Sequence, residues 1–369
     1  MILPGLTPPP NYRGPVKLSV YEIKWRDRQT FLASKGYMLR PRLRPGWTPS
    51  WILAGKHYEF FEDSARLPLR PFLVDATRMS DNKLVYIKEV KTGDLESRIA
   101  LALSDIEDPA NHSVPILDTF VDSLDKSISY LVMPFLRMSD DPAFDVVEEA
   151  IDFADQVLEG LAFMHSRGVA HRDTSLKNIL MDASQMFPCG FHPVRDSFLP
   201  HDLSTPAPMI HRVNVEVKYY FVDYGISSYF PEGTERQLVI GLAGRDRDVP
   251  ELSDEVPYDP FKVDIFTIGN VLRREFVAKY SNLGFFKPLI KAMMQSDSSR
   301  RPSAEHALQQ WRTIRGRINF LHRFWRLRHR DEPLWALPLL DFFYALASIP
   351  HFTRLLGRSL RLMFARIYS

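Results

Sequence analysis

The sequence has a single cysteine and only 17 glycines among its 369 residues, against 28 prolines. The lone Cys189 cannot form an internal disulfide, which excludes a disulfide-stapled fold and favours a reducing intracellular compartment. The opening residues, MILPGLTPPPNYRGP, contain no apolar stretch of the kind found in secretory signals. We therefore expect an intracellular protein, with the cytoplasm favoured and the nucleus left open.

Glycine is also missing from one particular place, because none lies between Gly55 and Gly93. A glycine-rich loop over a bound phosphate is not expected there, since side chains would keep backbone amides away from the phosphate. With 45% hydrophobic and 25% charged residues, the composition excludes disordered and collagen-like chains. The length allows two or three domains, or one large bilobal domain.

The net charge of +2 conceals two oppositely charged parts. Residues 312–369 contain 11 arginines, no lysine and three acidic residues, for a net charge of +8, whereas residues 1–311 carry −6. The sequence thus predicts an acidic body followed by a basic tail. Such a tail either docks on the body or binds an anionic partner.

The spacing of apolar residues predicts strands in the first half of the chain and helices in the second. Residues 21–35 have helical spacing and stop at Gly36, which predicts a helix with a glycine cap. The Pro-rich stretch 39–51 is expected to be extended. Two strand pairs and two further helices are predicted from the runs 71–76 with 83–90, 115–120 with 127–135, 94–103 and 148–168. We expect an α+β fold with a small strand-rich lobe before a larger helical lobe.

The segment VAHRDTSLKNILMD holds the residues with the clearest chemistry. It places His-Arg-Asp at 171–173 and then Asn178. A hydrophobic strand, KYYFV, leads into Asp-Tyr-Gly at 223–225, and Lys88 ends the earlier strand LVYIK. Together these residues resemble the protein kinases, in which H-R-D-x-x-x-x-N forms the catalytic loop and D-F-G follows it.

Further matches occur in the order that this resemblance requires. Val-Pro-Glu at 249–251 resembles A-P-E, VDIFTIG at 263–269 resembles D-x-W-S-x-G, and DSSRRPSAEHAL contains Arg301, which would pair with Glu251. The resemblance covers about residues 57–311 and implies a bilobal protein-kinase-like fold. The wording of HRDTSLKNILMDASQMFPCGFHPV also resembles kinase-like proteins of mushroom-forming fungi.

The resemblance divides the chain into an N-terminal extension (1–56), an N-lobe (57–138), a C-lobe (139–311) and the basic tail (312–369). The C-lobe carries an insert at 183–216, where kinases usually have a tight turn. Histidines, aspartates and Cys189 occur in this insert, but no pair has the tight spacing of metal ligands. A surface loop packed on the lobe is therefore expected.

The resemblance also implies roles in the transfer of a phosphoryl group from ATP. Lys88 would hold the α- and β-phosphates, and Glu96 would hold Lys88. Asp173 would orient the attacking hydroxyl and accept its proton. Asn178 and Asp223 would hold Mg²⁺, which prefers oxygen ligands. The other assigned residues are Lys177, which could reach the γ-phosphate, and two residues of the nucleotide pocket, the gatekeeper Met133 and Leu180.

Three features depart from the kinase pattern. The loop over the phosphates should fall in about 60–75, where there is no glycine. Tyr86 stands where an alanine normally lies against the adenine, so its ring either turns away or fills part of the pocket. Ser175 replaces the lysine that is usual in Ser/Thr kinases. Arg172 is retained, so phosphorylation of the activation segment, from Asp223 to Glu251, could regulate the protein, with candidate sites at Ser227, Ser228 and Thr234.

The sequence therefore predicts an ATP- and Mg²⁺-dependent protein kinase, with Ser/Thr favoured in a protein substrate, because Lys88, Asp173, Asn178 and Asp223 are retained together. The alternative is a pseudokinase scaffold or binding module with impaired nucleotide binding, favoured by Tyr86 and the missing glycines.

For the basic tail we expect docking on the acidic body. An anionic membrane surface is the alternative, because LLGRSLRLMFARIYS has the pattern of an amphipathic basic helix. The apolar run before it is too short and too interrupted to span a membrane. Nucleic-acid binding is not expected, since only the charge favours it.

Overall fold

The computed structural model describes residues 16–67 and 70–346. It has an α+β architecture with a strand-rich N-lobe and a larger, mostly helical C-lobe. This is the bilobal, protein-kinase-like arrangement that the sequence predicts.

The N-lobe is built on one five-stranded antiparallel sheet. Its strands are β1 (Tyr37–Leu39), β2 (Leu73–Arg78), β3 (Lys83–Lys91), β4 (Asp118–Val121) and β5 (Ile128–Pro134), in the order β1-β2-β3-β5-β4. Both predicted strand pairs are confirmed. Because successive side chains of a strand point to opposite faces, Val85 and Ile87 enter the N-lobe core while Tyr86 and Lys88 face the cleft between the lobes.

Helix α1 (Val20–Ser34) covers the outer face of this sheet, and its prediction is confirmed. Ser19 caps its first turn, and the chain leaves the helix through Gly36, whose φ of +91° is a conformation that glycine adopts readily. Trp25 and Leu32 are fully buried in the N-lobe core. Since α1 and β1 lie before residue 57, this core includes part of the region that the sequence sets apart as an extension.

Residues 40–72 connect β1 to β2, and the Pro-rich stretch within them is not extended as expected. It forms a 3₁₀ turn (Pro41–Leu43) and the short helix α2 (Ser50–Ala54). Proline suits these positions, because its fixed φ is close to the helical value and its missing N–H is not needed in a first turn. The prolines therefore begin short helices here instead of extending the chain.

Buried ion pairs fasten this connection to the N-lobe. Arg42 is 0% exposed and donates to Glu22 of α1 at 2.7 Å. Arg40 donates to Asp75 of β2 at 2.7 Å and to the carbonyl of Ala65 at 2.8 Å. Removing one partner of such a pair would leave a buried charge uncompensated, so these contacts hold the connection in one position.

Helix α3 (Leu95–Ser104) follows β3 and faces the cleft. The C-lobe then packs around α4 (Val147–Ser166), in which the predicted apolar stripe is buried. The remaining strands are β6 (Arg137–Met138), β7 (Val169–Ala170), β8 (Ile179–Asp182), β9 (Lys218–Phe221), β10 (Ser228–Tyr229), β11 (Val239–Gly241) and β12 (Ser253–Tyr258). The remaining helices are α5 (Pro260–Val271), which continues as a π-helical turn (Leu272–Val277), α6 (Lys287–Met293), α7 (Ala304–Arg315) and α8 (Phe320–Arg323).

The described part of the basic tail docks on the C-lobe. Arg312 donates to Glu159 at 3.0 Å, and Arg323 donates to Glu148 through two nitrogens at 2.6 and 2.5 Å. Residues 347–369, which include the predicted amphipathic helix, lie outside the described residues. Within 16–67 and 70–346, no helix is both long and apolar enough to cross a membrane.

Candidate active site

A cavity of about 660 Å³ lies between the two lobes, a size typical of small-molecule sites. Strands β3, β5 and β8, the first turn of α3 and the segment after β9 contribute to its walls. Of the residues singled out in the sequence, those that line the cavity are Tyr86, Lys88, Glu96, Met133, Lys177, Asn178, Leu180 and Asp223. Asp173 does not line the cavity but contacts Asn178 beside it.

Lys88 is the central charge of the cavity. Its Nζ donates to the carboxylate of Glu96 and, at 2.7 Å, to Oδ1 of Asp223. Glu96 is close to Lys88 in sequence, but the turn at Gly93, with a φ of +74°, sends the chain directly into α3. Asp94 caps that helix by accepting from its backbone, so Glu96 lies in the first turn and faces β3. The structure therefore brings Lys88 together with Glu96, its predicted partner, and also with Asp223, which the sequence assigns to Mg²⁺.

The charges of this cluster support one another. Burial alone would lower the pKa of Lys88, but the carboxylates of Glu96 and Asp223 outweigh it, and the pKa of Lys88 is raised. Burial alone would raise the pKa of Asp223, but the ammonium of Lys88 holds this pKa below its ordinary value. Lys88 is therefore a cation and Asp223 an anion at neutral pH. Burial raises the pKa of Glu96 despite the neighbouring Lys88. With both carboxylates ionised, the one ammonium leaves the cluster with an excess of negative charge.

The predicted catalytic loop joins Asp173 to Asn178. The side-chain nitrogen of Asn178 donates to the backbone carbonyl of Asp173 at 3.0 Å and to its Oδ2 at 2.9 Å. A 3₁₀ turn (Leu176–Asn178) bends the chain back far enough for these contacts. The amide oxygen of Asn178 takes no part in them. Together with the carboxylate of Asp223, it offers oxygen donors of the type that suits Mg²⁺.

Asp264, in the second turn of α5, holds the catalytic loop in shape. Its place in VDIFTIG does not by itself specify this role. Its side chain is 0% exposed and accepts from the backbone N–H of His171 at 2.8 Å and from that of Arg172 at 2.6 Å. His165 donates to the same carboxylate at 2.9 Å. Arg172 has a φ of +68°, which is costly for a residue with a side chain. The bonds to Asp264 offset that cost and position Asp173 next to it.

Arg245 is a site residue that the sequence motifs do not reveal. Its backbone N–H donates to Oδ1 of Asp173 at 2.9 Å, and its side-chain Nε lies 3.5 Å from Oδ2. The side chain is 58% exposed, so water screens this ion pair. Any group that approaches Asp173 therefore has to compete with a contact from the activation segment. The only signal in the sequence is the position of Arg245 shortly before Val-Pro-Glu.

The opposite end of the cavity is apolar. Met133 and Leu180 line it, and the ring of Tyr86 stacks on Phe135 with centroids 4.3 Å apart and planes at 22°. Of the two positions considered for Tyr86, the structure shows the one that fills part of the pocket. Burial raises the pKa of Tyr86, so the phenol stays neutral. A flat aromatic surface here suits a planar ring more than a charged group.

Two further segments line the cavity, one of them within the stretch 60–75 where the sequence places the loop over the phosphates and the other in the insert. The end of the β1–β2 connection contributes Arg70, Pro71 and Phe72, and the insert contributes Pro193, Val194 and Asp196. Apart from its unusual length, the insert gives no sign in the sequence that it reaches this site.

Neutral groups hold the activation segment against the catalytic loop. The guanidinium of Arg172 donates to the carbonyls of Ile226 and Ile240 at 3.3 and 3.1 Å and to the hydroxyl of Tyr258 at 3.0 Å. Ser227 is buried and donates to a backbone carbonyl, so its prediction as a phosphorylation site is wrong for this conformation. The exposed candidate is Thr234.

The expected pairing of Arg301 with Glu251 is present. Arg301 is fully buried and donates to both oxygens of Glu251, one of them at 2.8 Å. It also donates to the carbonyl of Lys262 in α5 at 2.9 Å. This bidentate contact ties the end of the activation segment to the helical core of the C-lobe.

Comparison with known proteins finds weak similarity to protein kinases. No protein-family model matches the chain. Maternal embryonic leucine zipper kinase of Danio rerio is 22% identical over 312 residues, which cover 75% of this chain and 41% of that protein. Serine/threonine-protein kinase chk1 of Schizosaccharomyces pombe is 29% identical over 118 residues, covering 32% and 17%. Serine/threonine-protein kinase ppk8 of the same yeast is 29% identical over 119 residues, covering 31% and 17%.

The chain spans less than half the length of each of these relatives. At this identity it is similar to Ser/Thr protein kinases, and its fold is protein-kinase-like.

Proposed function

We propose that this chain is an ATP- and Mg²⁺-dependent protein kinase that phosphorylates a serine or threonine hydroxyl of a protein substrate. One observation carries the proposal. A single cleft joins the contacts among Lys88, Glu96 and Asp223 to the pair formed by Asp173 and Asn178. Positioning and charge compensation supply most of the catalysis in phosphoryl transfer, and this cleft offers both.

Each charged group has a task in this reaction. Lys88 would bind the α- and β-phosphates, held in place by Glu96. Asp173 would accept the proton of the substrate hydroxyl. At the same time the hydroxyl oxygen would bond to the γ-phosphorus, and the bond from that phosphorus to ADP would break. Lys177 is exposed and lines the cavity, from where it would contact the γ-phosphate. Arg245 has to yield at least part of its contact with Asp173 before the hydroxyl can approach.

The remaining groups would bind the nucleotide and its metal ion. Met133, Leu180 and the stacked ring of Tyr86 offer an apolar site for the adenine. Asn178 and Asp223 would hold Mg²⁺ through oxygen atoms. Bound Mg²⁺ supplies charge neutralisation for the triphosphate.

The first test is nucleotide binding by calorimetry, with and without Mg²⁺, followed by incorporation of labelled phosphate. We expect ATP to bind in the presence of Mg²⁺. We also expect Asp173→Asn and Lys88→Met to reduce phosphate incorporation by at least about 100-fold. Lys91→Met is the matched control, because Lys91 lies on the same strand but is exposed and away from the cavity. Incorporation by wild-type protein that does not exceed that of Asp173→Asn would overturn the proposal.

The alternative function is a pseudokinase scaffold, favoured by two observations. The connection over the cleft, residues 40–72, lacks glycine next to the cavity, so backbone amides cannot approach a phosphate closely there. Tyr86 also narrows the apolar end of the cavity. A scaffold of this kind would keep its fold while binding ATP weakly or without dependence on Mg²⁺, and the same calorimetry separates the two functions.

Three finer expectations stay predictions. They are the resemblance to kinase-like proteins of mushroom-forming fungi, the intracellular location, and the contact of the basic tail with an anionic membrane surface. The last concerns mainly residues 347–369. Vesicle co-sedimentation of a chain truncated after residue 346 would test the membrane contact, because the truncation leaves the docked contacts of Arg312 and Arg323 in place.

A further inference from the structure

The insert at 183–216 reaches across the cleft and contacts the N-lobe. His192 is 0% exposed, and its Nε2 lies 3.4 Å from Oε1 of Glu62, which belongs to the β1–β2 connection. The imidazole Nδ1 accepts from the backbone N–H groups of Val194 and Arg195 at 3.1 and 2.9 Å. Since Nδ1 is an acceptor, Nε2 carries the proton and donates to Glu62. The lobes are thus linked here in addition to the chain between β5 and β6.

Arg137 fixes the next part of the insert against this link between the lobes. Its guanidinium lies 4.7 Å from the ring centroids of both Phe187 and Phe191, and it donates to the backbone carbonyl of Asp196 at 2.8 Å. Its closest carboxylate is Asp141 at 2.9 Å, whereas the carboxylate of Asp196 is 3.5 Å away. Arg137 therefore holds Asp196 mainly through its backbone, and a change of the Asp196 side chain leaves this anchor intact.

The anchored stretch forms one wall of the cavity. Pro193, Val194 and Asp196 line it, and the side chain of Asp196 is 44% exposed. Asp196 is the ionisable group among these three. It lies beside Arg137 and close enough to Tyr86, at the apolar end of the cavity, to act on the pKa of that residue. The carboxylates that contact Lys88 are instead those of Glu96 and Asp223.

The position and charge of Asp196 indicate which part of a nucleotide this side chain would bind. A carboxylate repels phosphates and has no affinity for the apolar faces of a base, but it accepts hydrogen bonds from hydroxyl groups. In a nucleotide the sugar lies between base and phosphates, which correspond here to the apolar and charged ends of the cavity.

We propose that Asp196 of the insert accepts hydrogen bonds from the ribose hydroxyls of the bound nucleotide, and that the insert supplies the sugar-binding wall of this cleft. The inference rests on the proposed function, because it assumes that the cleft binds ATP. It assigns a binding role to a segment that lies outside every kinase motif of the sequence.

The test is a double-mutant cycle between protein and ligand, measured by calorimetry in the presence of Mg²⁺. Wild type and Asp196→Asn are each titrated with ATP and with 2′,3′-dideoxy-ATP, which lacks both ribose hydroxyls. Wild type is expected to bind ATP about tenfold more tightly than the dideoxy nucleotide, and Asp196→Asn is expected to lose most of this preference. Glu216→Gln is the matched control, since it removes the same charge from an exposed position of the same insert.

The outcomes separate the two proposals. If wild type binds neither nucleotide, the proposed function fails and this inference fails with it. If wild type binds ATP but Asp196→Asn binds both nucleotides as wild type does, or more tightly, the assignment of Asp196 alone is overturned. Equal weakening for both nucleotides also overturns it, because the carboxylate would then act on another part of the ligand. A thermal melt of Asp196→Asn, expected to match wild type, shows that the variant is folded.

Discussion

Replacement of Asp264 by asparagine tests whether this buried carboxylate positions the catalytic loop. The two carboxylate oxygens accept from different backbone donors, Oδ2 from His171 and Oδ1 from Arg172. Asparagine offers one oxygen and one NH₂ group, so one of the two buried N–H groups would face another donor. Loss of a hydrogen bond to a charged acceptor, with a buried donor left unpaired, costs about 3 kcal/mol.

Urea unfolding is expected to show Asp264→Asn less stable than wild type by that amount, while the protein stays folded, since domains of this kind have about 5–15 kcal/mol in reserve. Because Asp173 follows Arg172 directly, we also expect phosphate incorporation to fall by about 100-fold, as a small displacement of a reacting group would cause. Asp254→Asn, at an exposed position before α5, is the control and should change neither quantity. If Asp264→Asn is as stable and as active as wild type, the carboxylate does not support the loop.

Three further changes test other contacts. Burial raises the pKa of Asp152 to about 6, above its unfolded value, so stability falls as pH rises between the two pKa values. In urea titrations Asp152→Asn should therefore be more stable than wild type by up to about 3 kcal/mol near pH 8, and this difference should be almost absent near pH 3. Arg301→Met leaves the carboxylate of Glu251 without its cation and should cost about 3–5 kcal/mol in the same assay, with a smaller loss for Arg301→Lys. Tyr258→Phe removes one acceptor of Arg172 and should increase proteolysis of the activation segment by about fivefold, corresponding to about 1 kcal/mol; unchanged cleavage would contradict that role.

The elements that the sequence predicts well are those whose pattern is local. Helix α4 shows a continuous apolar stripe, and the hairpin of β2 and β3 has two apolar runs on either side of a polar turn. Strand β1 is not predicted from the sequence, because it is three residues long and its partner β2 follows only after the whole connection 40–72. Non-local pairing of so short a strand leaves no period to detect. The Pro-rich stretch was mispredicted because proline suits both an extended chain and a first helical turn.

The candidate site divides in the same way. Lys88, Asp173 and Asp223 belong to motifs with fixed spacing; the structure places Lys88 and Asp223 in one cleft and Asp173 beside it, in contact with Asn178. The contacts of Arg245 and Asp196 depend on where the activation segment and the insert settle in three dimensions. That position is set by distant partners such as Glu62 and Arg137, which no local pattern connects to the cleft.

The charge around Lys88 bears on the choice between enzyme and scaffold. An ammonium and two carboxylates are partly withdrawn from water here, with exposed fractions of 19% for Lys88, 16% for Glu96 and 46% for Asp223. A cluster of this kind costs desolvation energy that apolar residues would not, so the needs of the fold alone do not account for it. Its excess negative charge repels a free triphosphate and attracts a divalent cation. A cleft retained for phosphoryl transfer should therefore bind ATP much more tightly with Mg²⁺ than without it. A scaffold that binds only the adenine, against Tyr86 at the apolar end of the cleft, should bind ATP equally well in both conditions.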